Sequence, residues 1–214
     1  MKKRTLPSIP SWLTTALQGL TFWIGYKRSL YRDYPLSEGA LVTELRSLLH
    51  ANLPDELFLK CEVGYSKLVK TKVRPTPIAG STRADFVVAS KIEDKESTIG
   101  WKYKPEFVFE LKRAGANDRL IDKDLTRLAA LRASRKGVRA FLIILSEADR
   151  HDRFVTDRGK TRLGSHNVPG FAGTYTVRRT VKASATFENR NSGNYATMVE
   201  VFPNENQPFH PVDC

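Results

Sequence analysis

The sequence predicts an α/β fold with a mixed four-stranded central sheet flanked by helices and followed by extra C-terminal β-strands. Two observations predict this core. Three apolar segments follow one another with no helical pattern between them, which favours antiparallel pairing of consecutive strands. A helical pattern and a fourth apolar segment come next, and such a strand-helix-strand unit is expected to form a right-handed parallel crossover.

Two amphipathic helices are predicted before the first strand. The first covers residues 10–31, and its apolar stretch, Trp12 to Ile24, is too short to span a bilayer. It is expected to pack on the body of the protein or on a partner, through which the chain could form a homo-oligomer or join a larger complex. Ser37 is the predicted N-cap of the second helix, whose apolar stripe follows helical spacing: Leu41, Leu45, Leu48 and Leu49.

The core strands are predicted from short apolar runs between turn-forming residues. The fourth run is continuously apolar, which is typical of a strand that is covered on both faces. Before it, Asn117 is the predicted cap of a helix that ends near Gly137. The four predicted strands are residues 57–63, 84–89, 107–111 and 140–145.

The remainder of the chain is predicted to add strands to this core. Residues 149–167 are polar and charged and are expected to form a long surface loop. One or two strands are predicted within 173–187 and a last one at 195–202. The chain thus divides into an N-terminal helical extension (1–36), a core (37–148), and a basic loop with a C-terminal β extension packed on the core (149–214).

Net charge is the unusual feature of the composition. Lys and Arg number 35 against 23 Asp and Glu, which gives a net charge of +12. Such an excess favours polyanionic partners, of which nucleic acid is the commonest and an anionic membrane surface the second.

Other chemistries have little support in the sequence. The two cysteines, Cys61 and Cys214, favour neither a disulfide framework nor a zinc cluster, and a reducing, cytoplasmic setting is expected. The four histidines lack the spacing of a zinc site. The sequence has no P-loop, no G-x-S-x-G elbow and no dinucleotide fingerprint.

Acidic residues occur at the ends of two predicted strands. Glu110 and Lys112 are two apart on the third strand and should point to the same face, while Asp85 opens the second strand. Two carboxylates and a lysine on neighbouring strands can hold a divalent metal beside a phosphate. The alternative interpretation is an exposed strand-end ion pair, which contributes only ~0–1 kcal/mol.

Asp85 and the segment Glu110-Leu111-Lys112, together with the element order from residue 37 to 146, resemble the PD-(D/E)XK nuclease superfamily, which has the restriction-endonuclease-like fold. Ala84 stands where the family name has proline. The resemblance implies a Mg²⁺-dependent deoxyribonuclease, with Mn²⁺ able to substitute. DNA is expected as the partner on this resemblance alone, because the composition does not separate DNA from RNA.

The resemblance also implies roles for individual residues. Asp85 and Glu110 would bind the metal, and Lys112 would position or activate the attacking water. A glutamate of the preceding helix often joins the metal shell, a role that would fall to Glu44, with Glu38 as a weaker substitute. Glu44 can equally be a solvated helix residue at the border of the apolar stripe.

Basic side chains are candidates for phosphate contacts across a groove. Lys123 and Arg127 are four apart and share a helix face, although with Asp124 between them they can also form an ordinary solvated face. Two further functions remain open: a catalytically silent nucleic-acid-binding module, and a nuclease subunit of a larger assembly. The other candidate contacts are Lys67, Lys70, Lys72, Arg74, Arg113, Arg178, Arg179 and Lys182.

Overall fold

The computed structural model describes residues 6–31, 36–69, 78, 81–93, 101–147, 150–156, 158, 160–184 and 193–203. Within these residues the chain forms four α-helices and one mixed sheet of seven strands. The helices are α1 (Ser11–Leu30), α2 (Glu38–Asn52), α3 (Tyr65–Leu68) and α4 (Asp118–Ser134), with a 3-10 helix at Asp152–Phe154. The strands are β1 (Leu57–Gly64), β2 (Arg83–Glu93), β3 (Trp101–Arg113), β4 (Arg139–Ser146), β5 (His166–Asn167), β6 (Gly173–Ser184) and β7 (Gly193–Pro203).

The strand order across the sheet is β1-β2-β3-β4-β7-β6-β5. The three consecutive strands β1, β2 and β3 pair antiparallel, and α4 connects β3 to a parallel β4. Both predictions of strand pairing are therefore confirmed. Every other neighbouring pair in the sheet is antiparallel.

The predicted size of the sheet is wrong, because the sheet has seven strands rather than four. β7 pairs with β4 over seven residue pairs, from Ala140↔Val201 to Ser146↔Tyr195. In a four-stranded sheet, the apolar β4 would have been an edge strand with unpaired backbone groups. The C-terminal strands satisfy that edge and continue the same sheet.

The segment predicted as a long surface loop is partly built into the fold. Phe154 is buried, and β5 pairs with β6. Ring contacts with His151 and Tyr175 hold Phe154 in place. The prediction missed this because one buried aromatic residue in a charged stretch gives no periodic signal.

Both helix caps that the sequence predicts are present. The Ser37 side chain accepts a hydrogen bond from the backbone N–H of Ala40 at the start of α2. The Asn117 side chain accepts one from the N–H of Arg119, at 2.8 Å, at the start of α4. These bonds satisfy backbone donors that the first helical turn leaves without partners.

The sheet has helices on both faces, and its alternating side chains form two core layers. On one face, Val108, Leu142 and Val199 pack with the apolar side of α4. On the other face, Phe109, Phe141 and other apolar residues pack with α1 and α2. The sheet therefore separates two distinct hydrophobic cores.

The apolar side of α1 packs on the protein's own sheet. Leu13, Leu17 and Leu20 are fully buried, and Trp12 meets the Phe107 ring edge-on at 5.3 Å between centroids. A Cβ at Gly19 would lie 3.0 Å from a Leu48 methyl group, so glycine allows α1 to approach α2 closely. Of the two expectations for this helix, packing on the body of the protein is the one observed. No helix in the described segments combines the length and apolarity that crossing a membrane requires.

Candidate active site

The two faces of β3 carry different chemistry. Phe107, Phe109 and Leu111 pack in the layer of α1 and α2, whereas the alternate residues Val108 and Glu110 face α4. This alternation follows from the two-residue period of a strand. Glu110 is consequently carried into the interior beside a helix rather than into solvent.

Asp85 lies on the adjacent strand β2, next to Glu110. The register pairs Phe86 with Phe109, which brings the preceding residue on β2 beside the following residue on β3. Asp85 Oδ2 accepts a 2.7 Å hydrogen bond from the backbone N–H of Leu111. The bond fixes this carboxylate at the end of β3, close to both Glu110 and Lys112.

Glu110 is the most enclosed of the predicted site residues, with 2% of its surface exposed. The hydroxyl of Tyr65, itself fully buried in α3, donates a 2.6 Å hydrogen bond to Glu110 Oε1. Arg127 Nη1 of α4 lies 3.9 Å from the same oxygen. A charge-assisted bond and a nearby guanidinium partly replace the water that burial removes.

Lys112 is held between two carboxylates on different helices. Its Nζ donates to Glu38 Oε1 at 3.1 Å and to the Leu111 carbonyl at 3.0 Å. Asp124 Oδ2 lies 3.5 Å from the same nitrogen. The ammonium group is thus fixed at the point where β3, α2 and α4 meet.

Asp124 is a buried carboxylate of α4, with 1% of its surface exposed. Its Oδ1 forms a 2.7 Å ion pair with Arg127, one turn further along the helix. Its Oδ2 is buried and has no hydrogen-bond partner among the described residues. The Lys112 ammonium, 3.5 Å from this oxygen, offsets part of the cost of burying it.

Burial raises the pKa of each of the three enclosed carboxyl groups, Asp85, Glu110 and Asp124, above its ordinary value. Their mutual repulsion raises the pKa of Glu110 further, and the Tyr65 hydrogen bond works in the opposite direction. Burial acts to lower the pKa of Lys112, but Asp124 and Glu38 outweigh it and the net shift is upward. Lys112 is therefore an ammonium ion throughout the neutral pH range.

The site contains more acidic than basic side chains. Its four acidic side chains, Asp85, Glu110, Asp124 and Glu38, face two cations, Lys112 and Arg127. When all six are ionised the net charge is −2, inside a chain whose total is +12.

The carboxylates do not by themselves form a recognisable metal site in the described structure. Across the described segments, no group of three or more His, Cys, Asp and Glu side chains is placed to hold an ion. Mg²⁺ is usually bound by one or two carboxylates, with water and phosphate oxygens completing its octahedron. Asp85 and Glu110 supply two carboxylates from neighbouring strands, and their role as metal ligands stays a prediction.

Of the two glutamates of α2, Glu38 is the one joined to this cluster in the described structure, and the accessory ligand role expected for Glu44 stays a prediction. Glu44 is half-buried on α2, and no hydrogen bond or ion pair joins it to Asp85, Glu110 or Lys112 within the described residues. Glu38 instead contacts Lys112 from the first turn of α2. The two glutamates are six residues apart, about 9 Å along a helix axis. The position at which α2 begins relative to β3 therefore determines which of them contacts Lys112.

The basic residues predicted to contact phosphates have varied surroundings. Arg113 pairs with Glu147 at 2.7 Å, and Arg178 is bound to the buried Glu200 and to the Pro7 carbonyl. Arg179 donates to the Thr14 hydroxyl at 3.4 Å. Lys67, Lys123 and Lys182 are exposed, whereas Lys70, Lys72 and Arg74 lie outside the described residues.

Sequence patterns did not identify Tyr65, and they underrated Asp124. Position 124 falls on the apolar stripe of α4 that includes Ile121, Leu125 and Leu128, and this spacing is a usable signal of burial. The region of Tyr65 was expected to be a strand end followed by a basic loop, and no pattern marks the single-turn helix found there. Tyr65 becomes recognisable only through its contact with Glu110.

Comparison with protein-family models, with curated proteins and with solved structures found no match to this chain. The chain is an α/β protein with a seven-stranded mixed sheet and four helices in its described part. Any statement about its activity therefore depends on the geometry of the site itself.

Proposed function

We propose that this protein is a metal-dependent nuclease of the PD-(D/E)XK type, which hydrolyses phosphodiester bonds in DNA. One observation carries the proposal: adjacent strands bring Asp85, Glu110 and Lys112 together in a cluster with more acidic than basic side chains. A strand-end ion pair on the surface would leave these groups solvated, whereas here Glu110 and Asp124 are almost fully buried. Perturbed carboxylates in a confined site favour a catalytic role.

The architecture agrees with this proposal. From α2 to β4 the described elements run helix, three antiparallel strands, helix and parallel strand, apart from the single turn of α3. This is the order expected of a restriction-endonuclease-like core. β5, β6 and β7 would then be an extension of that core, sharing its sheet.

The residues would divide the chemistry as follows. Asp85 and Glu110 would hold Mg²⁺ or Mn²⁺, which lowers the pKa of bound water and stabilises charge on the phosphoryl oxygens. Lys112, kept protonated by Glu38 and Asp124, would orient the attacking water and counter the developing negative charge. A raised pKa makes Lys112 a poor proton acceptor at neutral pH. Its proposed contribution is therefore electrostatic and positional.

Cleavage assays with site variants test this function. Wild type is incubated with linear and supercoiled DNA and with RNA of the same sequence, in Mg²⁺, in Mn²⁺ or in EDTA. We expect metal-dependent cleavage of DNA that falls by about 10²–10³-fold in Lys112→Ala, the usual effect of removing a group that stabilises transition-state charge. Lys136→Ala, which removes an exposed lysine beyond α4, is the matched control. Equal cleavage by wild type and Lys112→Ala would refute the assignment.

A catalytically silent nucleic-acid-binding module is the second candidate. The observation in its favour is that Lys112 is already paired with two carboxylates, so the cluster also makes sense as a structural ion network. Such a module would bind DNA equally well in EDTA, and Glu110→Gln would leave binding intact. Metal-dependent cleavage by wild type would exclude it.

A further inference from the structure

Three cations lie on one stripe of α4. Arg119, Lys123 and Arg127 follow one another at four-residue spacing, so they share a helix face and extend over about 12 Å of its axis. Arg127 is committed to Asp124 and lies near Glu110. Arg119 and Lys123 are exposed, and neither side chain has a hydrogen bond or ion pair with another described residue.

The same stripe forms one wall of a groove of about 390 Å³. Thr82, just before β2, also lines the groove, and its hydroxyl is buried without a hydrogen-bond partner in the described structure. Asp122 also lines the groove, but Arg153 neutralises it. Two cations of the groove, Arg119 and Lys123, have no ion-pair partner among the described residues, and the Thr82 hydroxyl has no hydrogen-bond partner there. The one carboxylate that lines the groove, Asp122, is paired with Arg153.

The groove leads to the candidate active site. Arg127 belongs to its lining and is also the residue that approaches Glu110 Oε1, at 3.9 Å. Arg119 and Lys123 lie two turns and one turn away from Arg127, at intervals of about 6 Å. This interval is comparable to the separation of neighbouring phosphates along one nucleic-acid strand.

We infer that this groove binds the phosphodiester backbone on one side of the scissile phosphate, with Arg119 and Lys123 contacting two successive phosphates. The inference rests on the proposed nuclease function and adds the path of the substrate strand to it. Recognition of this kind depends on charge and does not read sequence. The strand could belong to single-stranded or duplex DNA, because both present the same backbone.

Metal-free binding separates this inference from catalysis. Fluorescence polarisation is measured in EDTA, over a series of salt concentrations, with a labelled single-stranded oligonucleotide and with its duplex. The test variant is the double substitution Arg119→Ala/Lys123→Ala. The control is Arg46→Ala/Lys136→Ala, which removes the same charge from exposed positions outside the groove.

For at least one of the two DNAs, we expect the groove variant to bind about tenfold more weakly than the control variant. Its slope of log K against log salt should also be shallower by roughly 1.5–2, the change expected on losing two phosphate contacts. If the groove variant loses affinity for the single strand alone, an unpaired strand occupies the groove. If it loses affinity for the duplex, the occupant is a strand of paired DNA. Equal affinity of the two variants for both DNAs, or no binding by wild type, would overturn the inference.

Failure of the inference is distinguishable from failure of the proposed function. If the groove is not used, the groove variant binds as the control does while wild type still cleaves DNA in Mg²⁺. If the protein is not a nuclease, wild type fails to cleave in Mg²⁺ and Mn²⁺ while the groove variant still loses affinity. The first result contradicts the inference alone. The second contradicts the nuclease function and leaves only the binding of a phosphodiester backbone in the groove.

Discussion

The hydroxyl of Tyr65 donates a 2.6 Å hydrogen bond to Glu110 Oε1 in the interior of the protein, joining the single turn of α3 to β3. Both side chains are almost completely buried. A buried carboxylate needs hydrogen bonds to remain ionised and to hold one orientation. Tyr65 is therefore a positioning residue for Glu110.

Tyr65→Phe tests this role. We expect a loss of stability of about 1–3 kcal/mol, because the carboxylate loses a charge-assisted hydrogen bond. Since that bond lowers the pKa of Glu110, its removal should raise the pKa further and move the onset of metal-dependent cleavage to higher pH. Chemical denaturation and a pH–rate profile measure the two effects. Tyr26→Phe, on the exposed side of α1, should change neither.

Glu110→Gln should change how stability depends on pH. A raised pKa means that the folded state binds the Glu110 proton more tightly than the unfolded state does. The contribution of Glu110 to stability is therefore fully present below its unfolded pKa and is lost as the pH rises through its folded pKa. The neutral glutamine does not titrate, and its Oε1 can still accept from Tyr65.

We accordingly expect Glu110→Gln to gain stability relative to wild type as the pH rises from acidic to neutral. Thermal unfolding in EDTA across this range is the measurement. Glu56→Gln, an exposed control at the turn before β1, should follow wild type at every pH. A constant difference between Glu110→Gln and wild type would contradict the assigned pKa shift.

Divalent cations should stabilise wild type through the surplus charge of the site. A cation at one hundred times its Kd adds about 2.7 kcal/mol. For a chain of this length this raises Tm by roughly 5–10 °C. The rise should disappear in Asp85→Asn and in Glu110→Gln and persist in Asp55→Asn, an exposed control. The measurement is Tm in Mg²⁺ and in EDTA. An equal rise in Tm in all four proteins would mean that the metal binds elsewhere.

The two glutamates of α2 should differ in their effect on cleavage. Glu38 contacts Lys112 at 3.1 Å, and a partly exposed ion pair of this kind is worth about 1 kcal/mol. Glu38→Gln should therefore slow cleavage roughly fivefold, if the pair is needed in the transition state. Glu44→Gln is the matched variant on the same helix and should leave the rate unchanged. Slower cleavage by Glu44→Gln, with no change in Glu38→Gln, would indicate that Glu44 is the accessory acidic residue.

Arg178 should prove to be structural. With Arg139 it holds the buried carboxylate of Glu200, and it also donates to the Pro7 carbonyl ahead of α1. Removing one partner of a buried ion network commonly costs about 3–5 kcal/mol. Glu200→Ala should cost this much in denaturant unfolding, since it leaves two arginines without their acid. Arg178→Ala should also lower stability, while DNA affinity per folded molecule remains that of wild type.

Local patterns in the sequence determined the order of the elements from α1 to β4 apart from α3, both helix caps and the pairing of the first four strands. They also placed Asp85 beside Glu110, because a strand's two-residue period and its register fix which side chains are neighbours. Those features depend on residues close together in the chain, or on one strand pairing with the next.

Only the tertiary structure decided the remainder. The sheet has seven strands because β7, which begins 47 residues after the end of β4, pairs along its free edge. Tyr65, Glu38 and Asp124 reach the site because α3, α2 and α4 pack on the sheet at particular angles. Such packing is a sum over many distant contacts, and no local pattern encodes it. Sequence could thus specify two carboxylates and a lysine, while the fold selected which other side chains surround them.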